Sequence, residues 1–386
     1  MKRIAVFAPM GTLDHQTGIL NAVNSFAAAG YEVEVLTVRN RRFEEARFES
    51  PRVRVRTMPI RFDSDREPRV LVTLLFLVWV LLTCWRRHPL VFAGGIRGLL
   101  AAYGYSALRR CAIVNYQTEL YLGAKLDTRG KKLFKALERR AAQRSLLTIE
   151  HDANRRDLAV ADLGVDPRRV AIVPNAPRGP AVWRPSNFLH DRFGLAPGTP
   201  ILLSPGSLSE FFASSLVVEA AQYLAPPWRC VVHSAQPRSR DEPYIRHLLA
   251  LNTTGLTVFS LDPIPYYQID ALLGSASVGL ALYSAEVGEN TASVGLASGK
   301  LSHFLKLGVP VIVSPLPGLA DFVREHGVGE VLEAAAQLPE LIARIERDAE
   351  GYRRRALVCF DAHLAYERAF KAVLAVTDPV AEHAAA

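Results

Sequence analysis

The chain has 386 residues, 49% of them hydrophobic and 22% charged, with a formal net charge of +8. That length suits two domains of about 190 residues each, and the composition excludes a disordered or low-complexity chain. Cys84, Cys111, Cys230 and Cys359 form no CxxC pair, so we expect reduced thiols in a cytoplasm, no disulfide framework and no zinc site.

Taken in chain order, strand and helix signals alternate. Ile4–Pro9 is a short apolar strand and lacks the cleavage pattern of a leader. Gly18–Ala29 has helical periodicity and stops at Gly30; Val33–Val38 is a second strand. Val70–Trp85, Leu99–Leu108 and about Lys131–Arg144 read as helices. Leu90–Ala93, Ala112–Tyr116, Leu146–Ile149 and Val170–Val173 read as strands, and a further helix begins near Ala153. The succession β-α-β implies a parallel sheet with right-handed crossovers. Pro177, Pro180, Pro185, Pro197 and Pro200 mark 176–200 as a linker. A second series follows, with strands at Ile201–Ser204, Cys230–Ser234, Leu256–Phe259, Val278–Leu282 and Val309–Ser314. Its helices are expected at Ser215–Tyr223, Tyr267–Leu273 and just after Lys300.

The expected fold class is therefore α/β, with two doubly wound Rossmann-like domains. Ligands should bind at the carboxyl ends of the strands, in an interdomain cleft.

Val70–Trp85 is apolar throughout, but sixteen helical residues reach only about 24 Å, short of a hydrocarbon core of about 30 Å. It reads as a core helix, with a helix dipping into a membrane surface as the alternative ahead of a true span. Basic blocks occur at Arg39–Arg42, Arg52–Arg56, Arg109-Arg110, Lys131–Arg144 and Arg353–Arg355. No nucleic-acid-binding signature accompanies them, and a phosphorylated small substrate or an anionic membrane surface explains them at least as well as nucleic acid. The spacing of Lys131, Lys135 and Arg139 places them on one helix face, near the apolar helix of the same domain.

The stretch Asn290–Leu319 ends a small polar cluster at Ser298-Gly299-Lys300 and then turns helical. The first N–H groups of a helix lack partners and its dipole end is positive, so a phosphate held there is stabilised. The loop PMGTLDHQTG after the first strand can likewise face a ligand, with Gly11 and Gly18 allowing close approach. His15 is placed there to act as a general base.

With these elements placed, the chain resembles the two-domain glycosyltransferases of the GT-B fold, in particular the bacterial family 4-like group. VAIVPNAP (Val170–Pro177) is similar to the strand entering that group's linker, and ILLSPGS (Ile201–Ser207) to the strand and glycine loop opening its donor domain. Leu256–Tyr283 is similar to its nucleotide-binding segment. Gly308-Val309-Pro310-Val311-Ile312 matches the end of its donor-phosphate helix, and Gly351–Ala375 its C-terminal helix. The resemblance implies an acceptor-side domain over 1–175, a linker over 176–200 and a donor domain over 201–350. Residues 351–386 would cross back to the first domain.

It further implies transfer of a sugar from a nucleotide sugar, a UDP- or GDP-sugar, with neither metal nor redox cofactor. Gly206, Ser298, Gly299 and Lys300 would hold the donor diphosphate, with Gly11 and Gly18. His233, Ser260, Leu261 and His303 would line the nucleoside. NYQTEL (Asn115–Leu120) resembles the place where relatives often carry a histidine or His-Glu at a strand end; Thr118 stands where that histidine would fall, and Glu119 joins His15 as a catalytic candidate. Two departures stand out. The family's paired glutamates fall at Gly295 and His303 here, leaving Glu286, Glu289 and Asn290 as sugar-binding candidates. The family's Arg and Lys after the donor-domain glycine are missing from SLSEFFASS (Ser207–Ser215), which leaves Arg178 or Arg238 to supply charge.

The expected protein is a retaining glycosyltransferase assembling a surface polysaccharide or glycolipid, cytoplasmic and peripheral on the inner face of the membrane. Its partners would be a nucleotide sugar and a glycan or lipid-linked acceptor, with no nucleic acid. The alternatives are an inverting GT-B transferase and a weak or inactive GT-B partner subunit. A nucleotide-sugar epimerase would need acids and histidines on both cleft walls. A nicotinamide dehydrogenase would need GxGxxG after the first strand, and that motif is absent.

Overall fold

A computed structural model of the chain describes residues 1–10, 13, 16–40, 48, 50–62, 69–84, 88–125 and 128–384. They form two compact units, Met1–Pro174 with Tyr366–Ala386, and Asn175–Ala365. Each is built on one parallel sheet with helices on both faces, as the sequence periodicity predicts.

The first sheet has seven strands: β1 (Arg3–Ala8), β2 (Glu32–Asn40), β3 (Val53–Phe62), β4 (Leu90–Gly94), β5 (Ala112–Tyr116), β6 (Leu147–Glu150) and β7 (Val170–Ile172). Their spatial order is β3-β2-β1-β4-β5-β6-β7. Central strands covered on both faces must be apolar at every position, and β1 is buried from Ile4 to Ala8 for this reason. The sequence reading missed β3 because its residues alternate valine and arginine and resemble a basic block. It lies at the sheet edge, where Arg52 and Arg54 stand in solvent, and such charge discourages edge-to-edge pairing.

One sheet face packs helix Thr17–Ala28 and the terminal helix Tyr366–His383, with Phe26 edge-on to Phe370 at 5.1 Å. The terminal helix is also tied to the start of the sheet, since Lys2 and the Tyr31 hydroxyl both reach Asp378. The other face packs helices Arg69–Thr83, Gly95–Arg109, Arg129–Gln143 and Ala153–Leu163. Thr128 caps the third of these through Lys131 N–H, and Asp152 caps the fourth through Arg155 N–H.

The basic helix departs from the sequence reading. Lys135 is buried, not displayed, and pairs with Glu138 and Asp162; Arg139 also pairs with Asp162. The exposed face instead carries Arg129, Lys132, Leu133, Leu137, Arg140 and Arg144. Among the described residues, no helix is long and apolar enough to cross a membrane.

The second sheet has six strands: β8 (Ile201–Gly206), β9 (Arg229–Ser234), β10 (Thr257–Ser260), β11 (Val278–Ala281), β12 (Val311–Val313) and β13 (Gly329–Val331). Their order is β10-β9-β8-β11-β12-β13. In both sheets the strand order reverses beside the first strand, where doubly wound folds open a crevice at the strand carboxyl ends. Residues 176–200 include the helix Phe188–Phe193, whose Leu189 is buried in this unit's core.

Candidate functional site

In the second unit the carboxyl ends of β8 and β11 converge on one lysine. The helix Gly299–Lys306 begins beside them because Ser298 caps it, its hydroxyl accepting from Leu301 N–H. The same hydroxyl lies 2.7 Å from the Tyr283 hydroxyl and is buried. Ser298 therefore holds the helix start in place, and its own side chain is already engaged. Asn175 steadies the turn, its amide donating to Ala297 O and its carbonyl accepting from Ser302.

Lys300 lies over the β8 loop. Its Nζ is 4.5 Å from the Phe212 ring centroid and 5.2 Å from that of Tyr283. Such rings offer their negative faces to a cation but do not neutralise it. No carboxylate pairs with Lys300 among the described residues. Burial alone pushes its pKa down to about 7, although part of the side chain remains accessible. Gly206 makes the approach possible: its φ is +122°, and a Cβ there would stand 3.0 Å from Lys300 Cε. Gly206, Ser298, Gly299 and Lys300 are thus brought together. Phe212 and Tyr283 complete the arrangement, and sequence reasoning missed them because aromatic residues at strand ends usually read as core. An under-neutralised ammonium at a helix start is suited to a multivalent anion.

The register of β9 and β10 sets His233 opposite Ser260, and the His233 Nδ1 lies 2.9 Å from the Ser260 hydroxyl. Burial pushes His233 down to about 4, so it is neutral. The Leu261 carbonyl accepts from Arg238 N–H. His303, a nucleoside-lining candidate, has both ring nitrogens near partners of its own unit. Its Nδ1 donates to Gly299 O, its Nε2 is within reach of the Tyr266 hydroxyl, and burial lowers its pKa. It braces the lysine-bearing helix from within. Arg238 donates to Leu208 O through Nη1 and to Glu242 through Nε. Glu286 is exposed, Glu289 opens the short helix Glu289–Ala292, and Asn290 is half-buried within it.

In the first unit, Gly11 and His15 lie outside the described residues. Gly18 is a correction. A Cβ there would lie 1.7 Å from the Tyr116 hydroxyl oxygen, so the close approach it permits is that of a tyrosine, not a phosphate. Glu119 is exposed and accepts a hydrogen bond from Tyr121. Asp152 caps its helix, and Arg156 pairs with the exposed Asp157.

The carboxyl end of β6 holds a group that sequence reasoning passed over. Glu150 is fully buried, and neither carboxyl oxygen has a hydrogen-bond partner among the described residues. Arg155 Nε stands 3.7 Å away, too far for a hydrogen bond. Burial raises the Glu150 pKa to about 8, against the pull of Arg155, so it holds a proton at neutral pH. The signal was a glutamate closing an apolar strand in LLTIE.

Residues 15–176 match the family model described as a glycosyl transferase 4-like domain. The chain is similar in structure to sucrose-phosphate synthase from Thermosynechococcus elongatus, with a TM-score of 0.76, 14% identity and full coverage of both chains. It is similar to HepE from Anabaena, solved in complex with UDP-glucose, with a TM-score of 0.66 and 15% identity over all of both chains. A third solved structure is WaaG, a glycosyltransferase involved in lipopolysaccharide biosynthesis. It has a TM-score of 0.62 and 16% identity, covering 98% of this chain and 100% of that one. At these identities the likeness carries the fold, which is that of the GT-B glycosyltransferases. A search of curated protein sequences finds no match to the chain.

Proposed function

We propose that this chain, with its glycosyl transferase 4-like domain over residues 15–176 and its GT-B fold, transfers a sugar from a nucleotide sugar to an acceptor hydroxyl. The observation that carries the reading is Lys300, an ammonium at a helix start that no carboxylate neutralises among the described residues. As the sugar–phosphate bond breaks, charge grows on the departing diphosphate. Lys300 and the N–H groups of the first helical turn would offset that charge without rearranging. A UDP- or GDP-sugar is the proposed donor, and the UDP-glucose complex of HepE supports the class. Gly206, Ser298 and Gly299 would shape the diphosphate site, and His233, Ser260 and Leu261 the nucleoside end. Glu286, Glu289 and Asn290 are retained as sugar-binding candidates.

Retention of configuration is the proposed stereochemistry, although a cation on the departing diphosphate would serve either outcome. The inverting alternative would call on His15 or Glu119 as base. The partner-subunit alternative draws support from His303, which braces a helix where relatives carry an acid. A thermal-shift screen with nucleoside diphosphates and sugars tests donor binding, followed by release of nucleoside diphosphate in the presence of EDTA. Turnover is expected to persist in EDTA. Loss that magnesium or manganese restores would contradict a metal-independent reaction.

A lipid-linked acceptor at the inner face of the membrane is the proposed setting. Its support is the exposed apolar face of helix Arg69–Thr83, formed by Val70, Leu71, Leu74, Val78 and Leu82. Leu133 and Leu137 stand exposed on helix Arg129–Gln143 of the same sheet face, among Lys132, Arg140 and Arg144. Exposed apolar side chains, with basic ones beside Leu133 and Leu137, suit an anionic bilayer surface. At low salt the protein is expected to sediment with anionic vesicles and not with neutral ones. Leu74→Glu/Val78→Glu is expected to abolish sedimentation with the fold unchanged; equal sedimentation of this variant would remove the face from the membrane contact.

A further inference from the structure

Three side chains of different chemistry meet at the edge of the first sheet opposite the strand carboxyl ends. Glu34 is the third residue of β2, Cys84 follows helix Arg69–Thr83 with its N–H still bonded to Val80 O, and His88 precedes β4. Glu34 Oε2 lies 2.7 Å from His88 Nε2 and 3.7 Å from Cys84 Sγ. One donor atom from each residue lies within 4.8 Å of the other two. Cys84 and His88 are only 2% and 5% exposed. The second Glu34 oxygen is held 2.6 Å from Arg56 Nε, which fixes the carboxylate and leaves Oε2 turned to the thiol and imidazole. His88 Nδ1 is buried without a hydrogen-bond partner among the described residues.

A carboxylate–histidine ion pair would account for Glu34 and His88 alone. The Cys84 thiol adds a weak S–H hydrogen bond to the same oxygen, and the three donor atoms together lie close enough to share one ion. Thiolate, imidazole and carboxylate together are the ligand set of zinc-type ions.

We propose that Cys84 Sγ, His88 Nε2 and Glu34 Oε2 bind one zinc-type divalent cation, with water completing a tetrahedral shell. Binding releases the Cys84 thiol proton to solvent, while His88 keeps its ring proton on Nδ1 and gives the Nε2 lone pair to the ion. Bond lengths of about 2.3 Å to sulfur and about 2.0–2.2 Å to nitrogen and oxygen set donor separations of about 3.3–3.6 Å in a tetrahedron. The sulfur–oxygen separation of 3.7 Å needs to close by about 0.1 Å, and the nitrogen–oxygen pair needs to open by about 0.6 Å. The site has three protein ligands and one water position. It lies away from the strand carboxyl ends and clips the end of the apolar-faced helix to β2. The cysteine spacing of the sequence gave no hint of it, because the ligands are a Cys-x-x-x-His pair and a glutamate fifty residues earlier.

The test uses untagged full-length protein, stripped of metal and titrated with cadmium, whose thiolate bond absorbs in the ultraviolet. One equivalent is expected to develop the band, and zinc should displace it. Cys84→Ala is expected to abolish the band and His88→Gln to weaken cadmium binding at least tenfold, whereas Cys111→Ala should leave both unchanged. Should Cys84→Ala fail to fold, X-ray absorption of the zinc-loaded wild type decides: one sulfur beside nitrogen and oxygen ligands is expected. No cadmium band in the wild type, a band that survives Cys84→Ala, or a zinc shell without sulfur would overturn the proposal.

Discussion

Lys300→Met is expected to weaken binding of a nucleoside diphosphate by about 100-fold while leaving the fold intact. The ammonium has aromatic rings beside it and, among the described residues, no acid, so its strongest available partner is the ligand. Its pKa, near 7 instead of the ordinary 10.5, adds a second signature. Between those values the folded chain binds fewer protons than the unfolded one, so the free protein gains stability as pH rises from about 7 toward 10.5. Ligand affinity runs the other way. A diphosphate selects the charged lysine, so affinity should fall by up to about tenfold per pH unit above pH 7. Lys300→Met should erase that slope and, by removing a poorly solvated charge, raise the melting temperature at neutral pH. Unchanged affinity in the variant would take Lys300 out of the site.

Gly18→Ala is expected to destabilise the first unit by about 3 kcal/mol, lowering its melting temperature by roughly 6–12 °C. The new methyl would fall on the Tyr116 ring, 1.7 Å from the hydroxyl oxygen and 2.5 Å from Cζ. Tyr116 has little room to yield, being stacked on Phe92 and set against the edge of His151. Tyr116→Leu should recover part of the loss in the Gly18→Ala background, because the two residues share one space. Differential scanning calorimetry of the four proteins measures this. A Gly18→Ala protein that melts normally but no longer binds diphosphate would restore Gly18 to a phosphate-contacting role.

The sequence was most informative where physics leaves few choices. Parallel strands buried on both faces must be continuous apolar runs, so β1, β4, β8, β9 and β12 stood out. β3 did not, because an edge strand needs only one apolar face and its arginines hid the other. Charge periodicity told which residues share a helix face but not which face is turned outward. Lys135 went inside because Glu138 and Asp162 neutralise it there, and Asp162 lies beyond the reach of a local pattern. The candidate site divides the same way. Ser298-Gly299-Lys300 could be read from cap chemistry. Phe212 and Tyr283, which decide how exposed that charge is electrostatically, come from two other loops. Glu150 escaped notice because its importance lies in what it lacks among the described residues, a hydrogen-bond partner.

Titration calorimetry of the full-length protein with uridine and guanosine diphosphates, the corresponding monophosphates and the free nucleosides tests the central claim most directly. The account predicts a single saturable site for one of the two diphosphates, with most of the affinity lost at the monophosphate and in Lys300→Met. Absence of nucleoside diphosphate binding, or affinity that is equal for nucleoside and diphosphate, would contradict a donor site built around Lys300.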